Sequence, residues 1–311
     1  MLLYVIYSIV PYSSSNIPTK SLLPTYDFII VGGGSAGSVM ANRLSEIEDW
    51  NVLLLEAGAD GSAMYDVPTL AKYKVLPMAM RINEVEGTCF INTKYANASD
   101  DFPDIRLHFV PSGQNSEIFR EDRGLSREFY DAVYGKLDGR GSWSAFPALL
   151  RPKSRGVIKL RSNNPFDHPL IYPNYLKEPE DMATLVEGAK FVFELSKTAS
   201  FKRYGSEMNP TPFPGCKHIP MYSDPFWECM ARFVPVTIYH PVGTCKMGPK
   251  SDAKAVVDSR LRVYGVAGLR VIDASIMPNQ VSGNTNAPII MIGEKGADKV
   301  KEDWLRKQGS D

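Results

Sequence analysis

An apolar run that leads into a glycine-rich turn constrains the fold of this chain more than any other feature. Phe28–Val31 (FIIV) is followed by the pattern Gly-x-Gly-x-x-Gly. The apolar pattern predicts a buried strand over residues 26–31, a helix over 35–45 and a second buried strand over 51–55. Strand, glycine turn, helix and strand are the start of a βαβ unit, and hence of an α/β fold with parallel strands.

The three glycines of this pattern have separate roles in a dinucleotide site. Gly32 permits a tight turn, Gly34 lets the backbone approach a pyrophosphate, and Gly37 lets the helix pack closely on the strand. Ser35 and Ala36 stand in the first turn of the predicted helix, where free N–H groups and the helix dipole attract phosphate.

Glu56 strengthens this interpretation, because it follows the second predicted strand 19 residues after Gly37. A carboxylate at that position accepts hydrogen bonds from the hydroxyls of a ribose. Strand, helix and spaced acid together favour dinucleotide binding over a glycine turn with only a structural role.

The rest of the chain predicts a second, antiparallel domain inserted into the first. Alternating apolar and polar residues predict half-buried strands, and helical spacing predicts amphipathic helices. We expect strands over 104–110 and 155–161, helices over 178–196 and 225–233, a strand over 269–272 that returns to the first domain, and a last helix over 286–305.

The composition excludes several classes of protein. The 311 residues carry 35 basic and 35 acidic side chains, so no basic excess suggests a nucleic acid partner. The four cysteines form no C-x-x-C pair, which argues against a zinc ribbon or a dithiol redox centre, and we expect no metal site. Met1–Val10 is apolar but too short to span a bilayer, and is either a degenerate signal peptide or a surface-docked leader. Asn97-Ala98-Ser99 is a sequon that matters only if the chain is secreted.

His240 and Asn284 are the candidate reactive side chains. His240 lies in a turn-forming stretch, Tyr239 to Gly248, just upstream of the returning strand. Asn284 precedes the last helix, where an asparagine is more commonly a cap.

These segments together resemble the glucose–methanol–choline (GMC) family of FAD-dependent oxidoreductases, in particular its insect glucose dehydrogenase-like branch. The N-terminal part of the resemblance runs from Tyr26-Asp27-Phe28 to Leu55-Glu56-Ala57-Gly58. The C-terminal part is carried by His240-Pro241-Val242-Gly243-Thr244-Cys245 and Val271-Ile272-Asp273-Ala274-Ser275.

The resemblance implies roles for individual residues. His240 matches the catalytic histidine that takes the proton of a substrate hydroxyl, and Asn284 matches the second active-site position, which hydrogen-bonds the same oxygen. Asp273 and Ala274 match residues that line the FAD, and Thr285 lies near the flavin pyrimidine. The implied reaction is hydride transfer from a small alcohol to flavin N5, with oxygen or a quinone as electron acceptor.

The resemblance also implies an architecture. We expect a Rossmann-like FAD-binding domain in two parts, 25–75 and 239–305, around an inserted substrate-binding domain over 84–238. A leader (1–24) and a tail (306–311) flank them, and the insect branch implies an extracellular protein. The chain is short for this family, so a large internal deletion is expected between Tyr73 and Glu84. The alternative to an active enzyme is therefore an impaired remnant with little FAD binding. An NAD-dependent dehydrogenase is disfavoured, because it would not need the returning strand over 269–272.

Overall fold

The computed structural model of the chain describes residues 22–57, 87–110, 117–122 and 124–308, which form an α/β fold. The predicted leader up to residue 21, the predicted join between Tyr73 and Glu84, and the last three residues lie outside these ranges. The strands and helices, in chain order, are β1 (Phe28–Val31), α1 (Ser35–Leu44), β2 (Val52–Leu55), β3 (Gly87–Ile91), β4 (Ile105–Val110), α2 (Glu117–Asp122), α3 (Arg127–Val133), β5 (Ser144–Leu149), β6 (Val157–Lys159), β7 (Leu170–Tyr172), α4 (Pro179–Ser196), α5 (Ala199–Lys202), α6 (Asp224–Phe233) and α7 (Asn286–Gln308).

The chain divides into two compact units, and one of them is discontinuous. Unit 1 comprises Met1–Val67, Tyr239–Gln280 and Asn284–Asp311, whereas unit 2 comprises Pro68–Ile238 and Val281–Gly283.

Unit 1 is built on a parallel pair of strands and two packed helices. β1 pairs with β2, from Phe28 opposite Val52 to Val31 opposite Leu55. Helix α1 connects the two strands and packs against α7. Glycine makes this contact close, because a Cβ at Gly293 of α7 would lie 3.1 Å from the carbonyl oxygen of Ala36 in α1. The apolar core of this unit consists of Met40, Leu44, Trp50, Ala297 and Val300.

Unit 2 contains an antiparallel sheet in the order β3-β4-β5, covered by helix α4. Ile105 and Leu107 alternate along β4 and are completely buried. A Cβ at Gly188 of α4 would lie 2.9 Å from Pro147 in β5, so a glycine is needed where helix and sheet meet. Buried Asp181 accepts hydrogen bonds from the N–H groups of Lys153 and Ser154, which ties the segment after β5 to the first turn of α4.

The remaining elements of unit 2 form a hairpin and a helical cluster. β6 and β7 pair antiparallel as a separate two-stranded sheet. Helix α6 packs on α4, through a core of Met182, Val186, Phe226 and Trp227. A disulfide joins Cys216 to Cys229 of α6, a pairing that the sequence did not predict.

Most of the predicted elements are confirmed in position within a few residues. The predicted burial of β1 is wrong, because Ile29 and Val31 are 53% and 73% exposed, and β2 is only partly buried. The strand predicted over 269–272 is also wrong. That segment makes one isolated bridge, between Arg262 and Arg270, in place of a ladder. Positive φ angles of 78° at Gly265 and 73° at Gly268 turn the chain back between these two arginines. Beyond the bridge, Leu261 has a φ of 64° and therefore leaves the extended conformation that a longer ladder needs. Among the described residues β1 pairs only with β2, so no ladder reaches this segment from the other side.

No helix was predicted over residues 113–141. α3 forms there, with Ser126 accepting a hydrogen bond from Phe129 N at its start and Tyr130 and Val133 buried. Strands β3 and β5 were not predicted. Among the described helices, none is long and apolar enough to cross a membrane.

Candidate functional site

The glycine turn after β1 has the backbone geometry that its sequence predicts. Gly32 has a φ of +99°, which side-chain-bearing residues rarely adopt, and its N–H donates to the carbonyl oxygen of Leu55 at 2.7 Å. A Cβ at Gly37 would lie 1.9 Å from the carbonyl oxygen of Gly32. The first and third glycines are therefore required by the fold of the turn itself.

The second glycine instead leaves space at the N-terminus of α1. Gly34 is the N-cap residue, no side chain caps the helix there, and its first turn contains no acidic residue. A Cβ at Gly34 would meet nothing within 4 Å. Ser35 and buried Ala36 form the first turn. This end of α1 therefore combines uncapped N–H groups with room for an anion.

Glu56 points its carboxylate back at the turn. Its Oε2 atom accepts a hydrogen bond from Gly33 N at 2.5 Å, directly after β2 ends at Leu55. The residue is exposed. Glu56 is thus a carboxylate acceptor held beside the glycine turn and open to solvent.

The N-terminus of a second helix meets this turn. The hydroxyl of Ser35 donates to Oδ1 of Asn286, the first residue of α7, at 2.7 Å. Thr285, which precedes α7, is buried, and its carbonyl oxygen accepts from Ile289 N at 3.0 Å. Asn284 precedes Thr285 and is exposed. The starts of α1 and α7 are therefore adjacent, although 251 residues separate the two contacting side chains.

A 3₁₀ turn at Ala274–Ile276 fixes the other predicted cofactor residues. Asp273 caps it by accepting a hydrogen bond from Ser275 N at 2.7 Å. Cys245 N donates to the carbonyl oxygen of Ser275 at 3.0 Å, which attaches the segment after His240 to this turn. His240 is half-buried, and its Nδ1 atom is buried.

One groove in unit 1, of about 1190 Å³, collects part of the predicted site. Seven of the predicted residues line it: Gly32, Gly34, Ser35, Ala36, Gly37, Asp273 and Ala274. Glu56, His240, Asn284 and Thr285 do not line it, although Pro241, next to His240, does. The groove is large enough for most of a dinucleotide.

Both arginines along this groove are paired with aspartates. Arg270 bonds Asp303 at 2.6 Å, and Arg262 bonds Asp258 at 2.7 Å. Burial would raise the pKa of the Asp303 carboxyl, but Arg270 and Arg260 outweigh that effect and hold this pKa below its ordinary value. Asp27 and Asp273 also line the groove, so four aspartates accompany two arginines and the lining carries more negative than positive charge. The uncapped end of α1 is therefore the feature of the groove that attracts an anion.

Two site contacts were not predicted from the sequence. The hydrogen bond from Gly33 to Glu56 and the contact of Ser35 with Asn286 both depend on tertiary packing. The position of Asn286 at the start of a predicted helix was the only available signal for the second one. Among the described residues no group of three or more His, Cys, Asp or Glu side chains could hold a metal ion.

Comparison with known proteins gives a consistent result. Residues 152–293 match a family model described as GMC oxidoreductase. The chain is 43% identical to glucose dehydrogenase [FAD, quinone] of Drosophila melanogaster over 222 residues, which are 71% of this chain and 33% of that protein. It is 41% identical to human mitochondrial choline dehydrogenase over 203 residues, 64% of this chain and 30% of that protein.

Solved structures give a similar picture. A formate oxidase of Aspergillus oryzae, studied for FAD modification, superposes with a TM-score of 0.51 at 26% identity, over 66% of this chain and 33% of that one. The chain thus spans about a third of the length of these relatives. The matched range contains His240, Asp273, Ala274, Asn284 and Thr285. The resemblance seen in the sequence is therefore confirmed over this range: residues 152–293 match the GMC oxidoreductase family model.

Proposed function

We propose that unit 1 binds FAD and that the chain takes part in oxidising the CH–OH group of an alcohol. The observation that carries this proposal is the contact between Ser35 and Asn286, which brings the starts of α1 and α7 together beside the glycine turn. Two helix N-termini at one place favour a ligand with negative charge on its phosphates and electron-rich groups on its ring.

The described residues fit FAD at both ends of the site. The uncapped start of α1, with Gly34 leaving room for the ligand, would hold the pyrophosphate. The exposed carboxylate of Glu56 would accept the ribose hydroxyls in place of the Gly33 N–H. Asp273, Ala274 and Thr285 would hold the flavin end. The proposal that unit 1 binds FAD requires a Rossmann-like domain with an inserted substrate domain.

His240 and Asn284 would act on the substrate oxygen. Bound FAD would supply the hydride acceptor. The imidazole of half-buried His240 would take the hydroxyl proton of the substrate. The amide of exposed Asn284 would donate a hydrogen bond to the same oxygen and stabilise the negative charge that develops there.

The names of the relatives favour a class of substrate and an electron acceptor. The name glucose dehydrogenase [FAD, quinone] gives a sugar as donor and a quinone as acceptor, and the name choline dehydrogenase gives choline, a quaternary ammonium alcohol, as donor. We therefore propose a small alcohol as substrate and a quinone as electron acceptor. The alternative, an impaired remnant with little FAD binding, is less favoured because these relatives are named as enzymes and the uncapped turn is retained.

Reconstitution with FAD tests the proposal. Purified chain is incubated with FAD, desalted and assayed for bound flavin by absorbance, then for quinone reduction with a panel of alcohols. The expected result is bound flavin and alcohol-dependent reduction that His240→Ala lowers by about a hundredfold or more, without loss of flavin. His218→Ala, an exposed histidine of unit 2, is the matched control and should change neither. Turnover that survives His240→Ala would refute the assignment of the base.

A further inference from the structure

We propose that unit 2 matures in the secretory pathway and carries an N-linked oligosaccharide on Asn97. The proposal is independent of the FAD site, because every residue that it uses belongs to unit 2. It depends on two separate observations, the geometry of one loop and one disulfide.

The sequon forms a compact turn that presents the side-chain nitrogen of Asn97. Oδ1 of Asn97 accepts hydrogen bonds from Ser99 N at 3.2 Å and from the Ser99 hydroxyl at 2.8 Å. Asn97 is exposed, and its Nδ2 has no hydrogen-bond partner among the described residues. The atom that would be joined to sugar is therefore accessible, and the Ser99 hydroxyl already contacts the amide that must react.

The loop that carries the sequon is anchored on both sides of Asn97. Lys94 pairs with Glu187 of α4, and Arg151 donates to the carbonyl oxygens of Phe102 and Pro103. The loop connects β3 to β4, and Asp104 closes it by accepting hydrogen bonds from Thr93 N at 2.9 Å and the Thr93 hydroxyl at 2.6 Å. At the tip, the side chains of Tyr95 and Phe102 are 55% and 50% exposed. A large polar group on Asn97 would displace no buried side chain, and it would screen exposed aromatic surface from water.

The disulfide independently indicates an oxidising compartment. Cys216 and Cys229 are bonded, with Cα atoms 5.9 Å apart, and Cys216 is completely buried among aromatic side chains. Such bonds persist in secreted proteins and are rare in the cytosol. Cys89 and Cys245 are both free thiols, so the pairing is selective.

Both modifications balance chemically. In the glycosylation, Nδ2 of Asn97 forms a bond to the anomeric carbon of a lipid-linked oligosaccharide. The bond from that carbon to the lipid pyrophosphate breaks, and the amide loses one proton. In the second reaction, the thiols of Cys216 and Cys229 lose two protons and two electrons to the disulfide of an oxidoreductase.

The test uses the full chain in insect cells, both as it stands and behind a cleavable secretion leader. Whole-cell and medium samples are denatured, treated or not with peptide N-glycosidase, and blotted. Misfolded protein that is retained in the cells is therefore detected as well. We expect a mobility shift in both forms. Asn97→Gln and Ser99→Ala should abolish the shift, Ser99→Thr should keep it, and Asn164→Gln, an exposed asparagine outside any sequon, is the matched control.

Mass spectrometry then maps the sites. Deglycosylation should convert Asn97 to aspartate, whereas Asn209, in Asn209-Pro210-Thr211, should remain unmodified because proline blocks the motif. Thiol counting without reductant should find two thiols per chain, and four after reduction. No shift behind the added leader would overturn the glycosylation site. No shift for the chain as it stands, or four thiols without reductant, would overturn maturation in the secretory pathway.

Discussion

Replacing Gly37 with alanine should damage the fold of unit 1, whereas the same replacement at Gly34 should damage only its ligand site. The new Cβ at Gly37 would lie 1.9 Å from the carbonyl oxygen of Gly32, and real Cβ atoms essentially never come within 3.0 Å of such an atom. The turn would therefore have to move by about 1 Å against a packed helix, which costs about 3 kcal/mol or more. We expect the unfolding midpoint to fall by roughly 6–12 °C.

Gly34→Ala is the matched control for that experiment. Gly34 has a φ of −69°, which alanine adopts easily, and its Cβ would meet nothing within 4 Å. The weaker N-cap preference of alanine costs about 1 kcal/mol or less. The unfolding midpoint should therefore change little. FAD affinity, measured by flavin fluorescence titration, should fall by about tenfold or more, because the new methyl group occupies the space of the pyrophosphate and a charge-assisted hydrogen bond is lost. Equal thermal midpoints for the two variants in differential scanning calorimetry would refute this separation of roles.

Three further predictions follow from single side chains. Glu56→Ala should lower FAD affinity by about ten- to a hundredfold without a change in unfolding midpoint, and unchanged affinity would exclude Glu56 as the ribose ligand. Burial raises the pKa of Tyr134 to about 12, so the folded state keeps this proton longer than the unfolded state. Between pH 10 and 12 the chain should lose about 2–3 kcal/mol of unfolding free energy that Tyr134→Phe does not lose, as measured by urea titration. Asp181→Asn should destabilise unit 2 by about 1–3 kcal/mol, because one of the N–H groups of Lys153 and Ser154 loses its acceptor. A midpoint in urea equal to that of the wild type would contradict that account.

The sequence pattern was sufficient to predict those elements of the fold that depend mainly on a few consecutive residues. The residues around Gly32 and the amphipathic face of α4 carry their periodicity and turn chemistry in a few consecutive positions, and both elements form as predicted. The segment 269–272 is apolar and β-branched, but a strand needs a partner. This segment makes one isolated bridge, because Leu261, next to the bridged Arg262, has a positive φ and is not extended.

The sequence predicts which residues belong to the candidate site but not the contacts between them. The glycine spacing and Glu56 follow from motif rules, whereas the contact of Ser35 with Asn286 depends on how α1 packs on α7. The disulfide shows the same limit. Cys216 and Cys229 are 13 residues apart, and nothing in that spacing says that helix α6 folds back to bring them together.

The discontinuity of unit 1 determines when during synthesis the glycine turn can acquire its final surroundings. Helix α1 leaves the ribosome early, but α7, which supplies Ala297 and Val300 of its core, is made last. Closing a loop of 251 residues costs about 5 kcal/mol of chain entropy. This cost arises before the packing of α1 on α7 can contribute any favourable free energy. Most of unit 2 is one continuous segment and can fold while the ribosome is still working. A nascent chain that stops before Asn286 therefore carries an intact glycine sequence without the helix that stabilises its turn, and chaperones would have to shield β1 and α1 until synthesis ends.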